Sequence, residues 1–184
     1  MGYILLIAGV ALFAGAHWFK RLAPAQRLAM GDKGKGLVAL IMLAGIILMV
    51  IGYRGAAFVN IWSPPAFLTH VNNLLMVLSF WLFALSADKG TFSARIRHKQ
   101  LTGVKVWAVA HLLVNGDLAS VILFAGLLAW AVVSVILINK AEPTWTRPTD
   151  VSVAGDIKAL VIGVVIMAIV MGVHYWLGVS PFPT

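Results

Sequence analysis

The stretch Arg97–Asp117, RHKQLTGVKVWAVAHLLVNGD, begins with basic residues, continues as an apolar segment with one histidine, and ends in an Asn-Gly-Asp turn. Read as a helix, it places Trp107, His111 and Asn115 four residues apart and therefore on one face. The residues around His111 are otherwise mostly Val, Ala and Leu. Placing a titratable ring in such an apolar run costs free energy, so a histidine there usually has a function. The stretch therefore predicts a membrane helix that carries a functional histidine.

The composition points to a lipid environment for the whole chain. Of its 184 residues, 61% are hydrophobic and only 11% are charged, whereas a soluble domain is about half apolar and about a quarter charged. The absence of cysteine excludes disulfides and thiolate ligands. The net charge of +8 comes from short basic clusters between apolar runs, without a nucleic-acid-binding motif. The expected partner is the lipid bilayer and not a nucleic acid.

Six apolar segments follow one another along the chain, without an internal repeat. A spanning helix needs roughly 20 apolar residues, and all but the fourth segment come close to that length. We therefore predict an all-α integral membrane protein, a compact six-helix transmembrane bundle. The segments are about Gly2–Phe19, Gly36–Tyr53, Ala66–Ala87, Leu101–Asn115, Leu118–Ile138 and Ile157–Gly178.

The basic residues predict the orientation of the chain. Of the 14 lysines and arginines, all except Arg54 lie in or beside the loops that follow the first, third and fifth segments. The positive-inside rule makes these three loops cytoplasmic and puts both termini outside. Because basic residues follow the first apolar run and do not precede it, we expect that segment to be retained as a span and not cleaved as a signal peptide.

The connections between segments also carry predictions. Trp62, in the outer loop Gly55–Pro65, is expected to anchor the chain at the membrane interface. In the outer turn after the fourth segment, Gly116 is predicted to adopt the left-handed conformation and Asp117 to cap the next helix. The stretch Asn139–Asp156 reads as a solvated connector, because it contains prolines and charges of both signs.

The sequence argues against several reaction classes. It contains no cysteine nucleophile, no Gly-x-Ser-x-Gly motif, no phosphate-binding loop and no His-Glu-x-x-His motif. Its 6 acidic residues all avoid the centres of the apolar segments. A proton or cation pathway normally needs buried carboxylates. A transporter is therefore the weakest of the functions considered.

The histidines are the strongest candidates for chemistry. His17 lies near the cytoplasmic end of the first segment, His111 inside the fourth, and His98 at the cytoplasmic start of the fourth. His70 and His174 fall towards the outer ends of the third and sixth segments. Paired histidines from two membrane helices suggest axial ligation of haem b. Copper or zinc would usually require a third ligand.

Distance along the helix limits which histidines can share one iron. His98 and His111 are thirteen residues apart, or about 20 Å on a helix, so they cannot ligate together. His111 can pair with His17, and a pairing with His70 or His174 stays open. The alternative is that the histidines are structural and bond to backbone or lipid headgroups.

The motif around His111 resembles a known family. Arg97-His98, Leu101–Gly103, Trp107–Leu113 and Asn115–Leu118 resemble the signature of the NnrU family, small bacterial membrane proteins named for a link to nitric oxide and nitrite reduction in denitrifiers. The spacing also resembles that of the related 15-cis-zeta-carotene isomerases of plants and cyanobacteria. The likeness covers nearly the whole chain and implies a single NnrU-like transmembrane domain, residues 1–184.

The resemblance implies a cofactor and its ligands. The isomerase relatives bind haem b through a histidine of the first helix and the histidine of the Ala-His motif, which correspond here to His17 and His111. The isomerases also have a cysteine near that motif, and Ala108 stands at the matching position here. A thiol-dependent ligand switch is therefore not expected. Around the haem we expect Trp107 and Asn115 to pack or hydrogen-bond, and Arg97 or His98 to meet a propionate.

Two functional hypotheses follow from these observations. The first is a haem b protein of the bacterial inner membrane, associated with denitrification or nitric oxide metabolism, that performs redox chemistry, senses nitric oxide, or acts in an isomerase-like way on a small hydrophobic substrate. The second is a non-enzymatic accessory or assembly protein whose histidines are structural. The sequence does not identify a protein partner.

Overall fold

The structure is a computed structural model and describes residues 1–85 and 90–181. In these residues, all regular secondary structure is helical. Within these described residues, a 3-10 helix, Ser93–Arg95, precedes the fifth of seven α-helices. The α-helices are α1 (Gly2–Leu22), α2 (Pro24–Ala29), α3 (Lys33–Arg54), α4 (Leu68–Ala84), α5 (Lys99–Val114), α6 (Leu118–Ala141) and α7 (Val153–Trp176).

The predicted all-α fold class is confirmed, the lengths of some apolar segments differ from the prediction, and the six-helix transmembrane bundle stays a prediction. Every predicted apolar segment lies on a helix, and α2 is an additional short helix in the first basic loop. Four helices, α1, α3, α6 and α7, are long and apolar enough to cross a membrane. The third segment was predicted to extend over Ala66–Ala87, yet α4 has only 17 residues and ends at Ala84. Ala87 itself lies outside the described residues.

The helices group into two compact units. The first unit comprises Met1–Ser63 and Asn115–Pro143 and contains α1, α2, α3 and α6. The second unit comprises Pro64–Val114 and Thr144–Thr184 and contains α4, α5 and α7. The single transmembrane domain predicted from the resemblance stays a prediction.

In the first unit, α1 packs against α3 and α6, and glycines let the α1 and α3 backbones approach each other. A Cβ atom on Gly9 would lie 2.6 Å from the backbone nitrogen of Met49. A Cβ atom on Gly52 would overlap the backbone nitrogen of Leu6. Such small-residue packing is typical of membrane helices, because lipid supplies no hydrophobic drive for association and close contact has to replace it.

The turn before α6, in the first unit, explains why Gly116 is a glycine. Its carbonyl oxygen accepts hydrogen bonds from the backbone N–H groups of Ile61 at 2.7 Å and Trp62 at 3.1 Å. A Cβ atom on Gly116 would overlap the carbonyl oxygen of Trp62. The predicted left-handed conformation of Gly116 was wrong, since its φ is not positive, and the close approach of Trp62 requires glycine instead. The predicted cap is confirmed: the Asp117 side chain accepts from the Ser120 N–H at 2.9 Å.

In the second unit, α4 packs against both α5 and α7. The Ser79 hydroxyl donates to the carbonyl oxygen of Gly103 on α5 at 2.9 Å. A Cβ atom on Gly163 of α7 would lie 2.9 Å from the carbonyl carbon of Phe80. A hydroxyl and small residues therefore hold these helices together, as in other membrane interfaces.

A carboxylate near the start of α7 holds the connection between α4 and α5. Asp156 accepts hydrogen bonds from the backbone N–H groups of Phe92 at 2.9 Å and Ser93 at 3.3 Å. Its own carbonyl oxygen accepts from the indole N–H of Trp81 at 3.1 Å. Asp156 therefore fixes the entry to the 3-10 helix, a role that the sequence did not reveal.

The connector between α6 and α7 is shorter than predicted. α6 continues to Ala141, and α7 already begins at Val153, because the Ser152 side chain accepts from the Gly155 N–H at 3.2 Å. The residues between are mostly exposed, which confirms the solvated character of this stretch.

Candidate functional site

His17 lies on α1 with its ring orientation set by its own helix. The Nδ1 atom is 2.9 Å from the carbonyl oxygen of Phe13, four residues earlier. A carbonyl oxygen can only accept, so Nδ1 carries the proton and the neutral ring has its lone pair on Nε2. Nε2 is the atom through which such an imidazole can bind a metal.

Two aromatic rings border the imidazole of His17. The Phe13 ring centroid is 4.3 Å from that of His17, and the Trp130 centroid, on α6, is 4.8 Å away in an edge-on arrangement. Phe13 and Trp130 also meet edge to face at 5.0 Å. Trp130 is buried, whereas His17 is exposed in the first unit. The imidazole is therefore packed against Phe13 and Trp130, and the rest of the ring remains accessible.

His111 has the same arrangement on α5. Its Nδ1 atom is 2.9 Å from the carbonyl oxygen of Trp107, and the two ring centroids are 4.9 Å apart. Again the carbonyl requires a proton on Nδ1, so the lone pair belongs to Nε2. The predicted shared face of Trp107 and His111 is confirmed.

A sequence feature common to His17 and His111 was missed. Each follows an aromatic residue by four positions, and in the structure that aromatic ring packs at a tilt against the imidazole. The residues four positions before the other three histidines are Ala66, Ala94 and Val170. The aromatic-x-x-x-His spacing therefore separates the two predicted ligands from the remaining histidines.

Asn115 does not extend the face of His111. α5 ends at Val114, and Asn115 is the first residue of the turn before α6, which belongs to the first unit. The helix stops there because Gly116 and Asp117 are engaged by the segment Val59–Trp62. A role of Asn115 beside a haem stays a prediction.

Arg97 and His98 lie at the opposite end of α5 from His111. Both are half-buried, and the His98 carbonyl oxygen accepts from the Thr102 N–H at 2.8 Å in the first turn of the helix. The thirteen residues between His98 and His111 correspond to about 20 Å along the helix. The structure does not bring these side chains together with His111, and their contact with a propionate stays a prediction.

His174 and His70 were the less favoured candidates. Nδ1 of His174 is 2.8 Å from the carbonyl oxygen of Val170, and His174 is close enough to His111 for the two to interact electrostatically. His70 is exposed in the first turn of α4. All three residues belong to the second unit, and within it the structure brings His174 near His111.

The donor set of this chain suits haem better than a metal held by protein alone. Among the residues that the structure describes, no three His, Cys, Asp or Glu side chains are grouped to hold a metal ion. Haem iron needs only one or two axial imidazoles. In both His17 and His111 a backbone carbonyl accepts from Nδ1–H, so Nε2 is the ring nitrogen that suits a metal, and metal-bound histidines usually have this arrangement. The residues therefore fit haem ligation individually, and their pairing stays a prediction.

Comparison with known proteins identifies the family. The family model described as "NnrU protein" matches residues 5–181 of the 184-residue chain. Neither a curated protein nor a solved structure matches the chain.

Proposed function

The chain belongs to the NnrU family, and on that basis we propose that it is a membrane protein that binds haem b, with His17 and His111 as ligands to haem iron. One observation carries this proposal: each ring donates Nδ1–H to the carbonyl oxygen of an aromatic residue four positions earlier, at 2.9 Å in both cases, and packs against the ring of that residue. This leaves Nε2 as the donor atom for a metal and fixes the ring plane. Bound haem b would supply an iron centre that exchanges one electron and accepts small diatomic ligands.

We place this haem in nitric oxide metabolism at the bacterial inner membrane. Four apolar helices of spanning length support the membrane location, and the basic loops support an orientation with both termini in the periplasm. The resemblance of Arg97–Leu118 to the NnrU signature supports the link to nitric oxide and denitrification. Isomerase-like chemistry on a small hydrophobic substrate is less favoured, because the buried residue Ala108 stands where the isomerases have a cysteine.

The visible absorption spectrum tests haem binding. The protein is produced with haem supplied, purified in detergent, and compared with His17→Ala, His111→Ala and the control Gln26→Ala, at an exposed position on α2. We expect a Soret band in the wild type and in the control, and its loss or strong reduction in the two ligand variants. A wild-type protein that stays colourless after haem is added would refute the proposal and favour the accessory-protein alternative.

Two further variants test the assignment of the ligands. His174→Ala and His70→Ala should keep the wild-type spectrum if His17 and His111 are the ligands. Loss of haem in His174→Ala, combined with retention in His17→Ala, would contradict the role of His17 and move the ligands to the second unit.

Nitric oxide binding tests the proposed physiological setting. Reduced, haem-loaded protein is exposed to nitric oxide in the absence of oxygen, and the Soret band is followed. We expect a shift, because nitric oxide competes for an axial position of ferrous haem. An unchanged spectrum would argue against sensing or turnover of nitric oxide and leave electron transfer as the role of the haem.

A further inference from the structure

We propose that Trp130 is a positioning residue that fixes the imidazole plane of His17 from the neighbouring helix α6. The inference deepens the proposed function and rests on it, because the consequence concerns His17 as a haem ligand. Trp130 itself need not touch the haem.

The ring contacts restrict how the imidazole can turn. The Trp130 and His17 centroids are 4.8 Å apart with their planes at 65°, and Phe13 closes another side of the imidazole at 4.3 Å. Aromatic rings at such distances prefer edge-to-face geometry, so rotation of the imidazole would lose favourable contacts with both neighbours. The hydrogen bond from Nδ1 to Phe13 sets one edge of the ring, and Trp130 holds the plane.

Trp130 is itself held firmly enough to act in this way. Only 8% of it is exposed. Its carbonyl oxygen accepts from the Ser134 hydroxyl at 2.7 Å, and the same hydroxyl accepts from the indole N–H of Trp18 at 3.0 Å. Because Trp18 follows His17 directly, this bridge ties the turn of α6 that carries Trp130 to the turn of α1 that carries the proposed ligand.

The surroundings of the indole nitrogen of Trp130 determine which substitutions test the proposal. Nε1 is buried and has no hydrogen-bond partner within the described part of the chain. The contribution of Trp130 to its surroundings is therefore that of its ring. Phenylalanine should replace tryptophan as a positioning residue, whereas leucine should not, because leucine fills space without offering an aromatic edge.

The experiment compares Trp130→Phe and Trp130→Leu with Phe124→Leu. Phe124 is a matched control, since it is an aromatic residue on the same helix with only 6% of it exposed. Each protein is loaded with haem and examined by haem titration and by low-temperature electron paramagnetic resonance of the oxidised form, whose g values depend on the planes of the axial imidazoles.

We expect Trp130→Leu to bind haem about tenfold more weakly, as is typical when a residue that supports a metal ligand is replaced, and to show altered g values. Trp130→Phe and Phe124→Leu should keep the wild-type g values. Unchanged g values in Trp130→Leu, changed ones in Trp130→Phe, or equal changes in Trp130→Leu and Phe124→Leu would each overturn the inference. A wild-type protein without haem would refute the proposed function instead, so the two failures are distinguishable.

Discussion

The Nδ1–H group of His111 donates to the carbonyl oxygen of Trp107, and the two rings pack at a tilt of 47° with their centroids 4.9 Å apart. His17 and Phe13 repeat this relationship on a different helix, with centroids 4.3 Å apart. In both cases the aromatic residue four positions earlier supplies the hydrogen-bond acceptor from its backbone and a packing surface from its side chain. The two histidines selected from the sequence are thus presented in one way, with Nε2 directed away from the helix backbone.

The orientation of the chain in the membrane is testable with single cysteines, because the natural sequence has none. We expect Ser63→Cys, in the loop before α4, to react with a membrane-impermeant maleimide in spheroplasts. Gln26→Cys, on α2, should react only after the membrane is permeabilised. Both positions are exposed, so reactivity reports on the side of the membrane. The opposite labelling pattern would invert the predicted topology.

The glycine contact between α1 and α3 predicts a loss of stability on adding a single methyl group. In Gly52→Ala the new Cβ would overlap the backbone nitrogen of Leu6, which cannot move aside as a flexible side chain would. We expect a destabilisation of about 1–3 kcal/mol, typical of overpacking. Gly36→Ala on the same helix is the control, since no atom lies within 4 Å of its Cβ position.

Thermal unfolding in detergent compares these two variants with the wild type. Gly36→Ala should be neutral or slightly stabilising, because alanine favours a helix over glycine. Equal unfolding temperatures of Gly52→Ala and Gly36→Ala would show that the close approach of α1 and α3 does not hold in the membrane protein.

We also expect a loss of stability when the carboxylate of Asp156, in the second unit, is replaced. In Asp156→Asn one of the two acceptors for the Phe92 and Ser93 N–H groups is replaced by a donor. We expect a cost of about 1–3 kcal/mol, because a backbone N–H then loses its charged acceptor. The control is Asp32→Asn, whose side chain is 93% exposed beside Lys35 and should leave stability unchanged. Limited proteolysis of the connection between α4 and α5 should accelerate only in the Asp156 variant.

The helices could be predicted because each apolar run contains more apolar residues than a helix of a soluble protein would. A helix end could be predicted where a side chain caps it, as Asp117 does at the start of α6. Features that depend on a tertiary contact were not predictable. The Asp156 carboxylate accepts hydrogen bonds from Phe92 and Ser93, some sixty residues earlier in the sequence. No local sequence pattern predicts these hydrogen bonds. The sequence indicated that position 116 requires glycine, but the predicted reason, a left-handed backbone conformation, was wrong. Glycine is required because the backbone of Trp62 lies too close for a side chain.

The candidate site was predictable in part. The four-residue spacing of Trp107 and His111 could be read directly, and the same spacing of Phe13 and His17 was present in the sequence but not used. The contact of Trp130 with His17 could not be inferred, because it depends on how α6 packs against α1. Asn115 was misassigned to the helical face because periodicity alone does not show where a helix stops, and here the turn ends it at Val114.

Chemical rescue of His111 tests the central claim most directly. His111→Gly removes the proposed ligand, and added imidazole can occupy the space that the side chain vacates. We predict that His111→Gly loses the Soret band of the haem-loaded wild type and recovers it when imidazole is supplied, whereas wild-type protein is unaffected. A His111→Gly variant that retains the full wild-type spectrum without imidazole would contradict the assignment of His111 as a haem ligand.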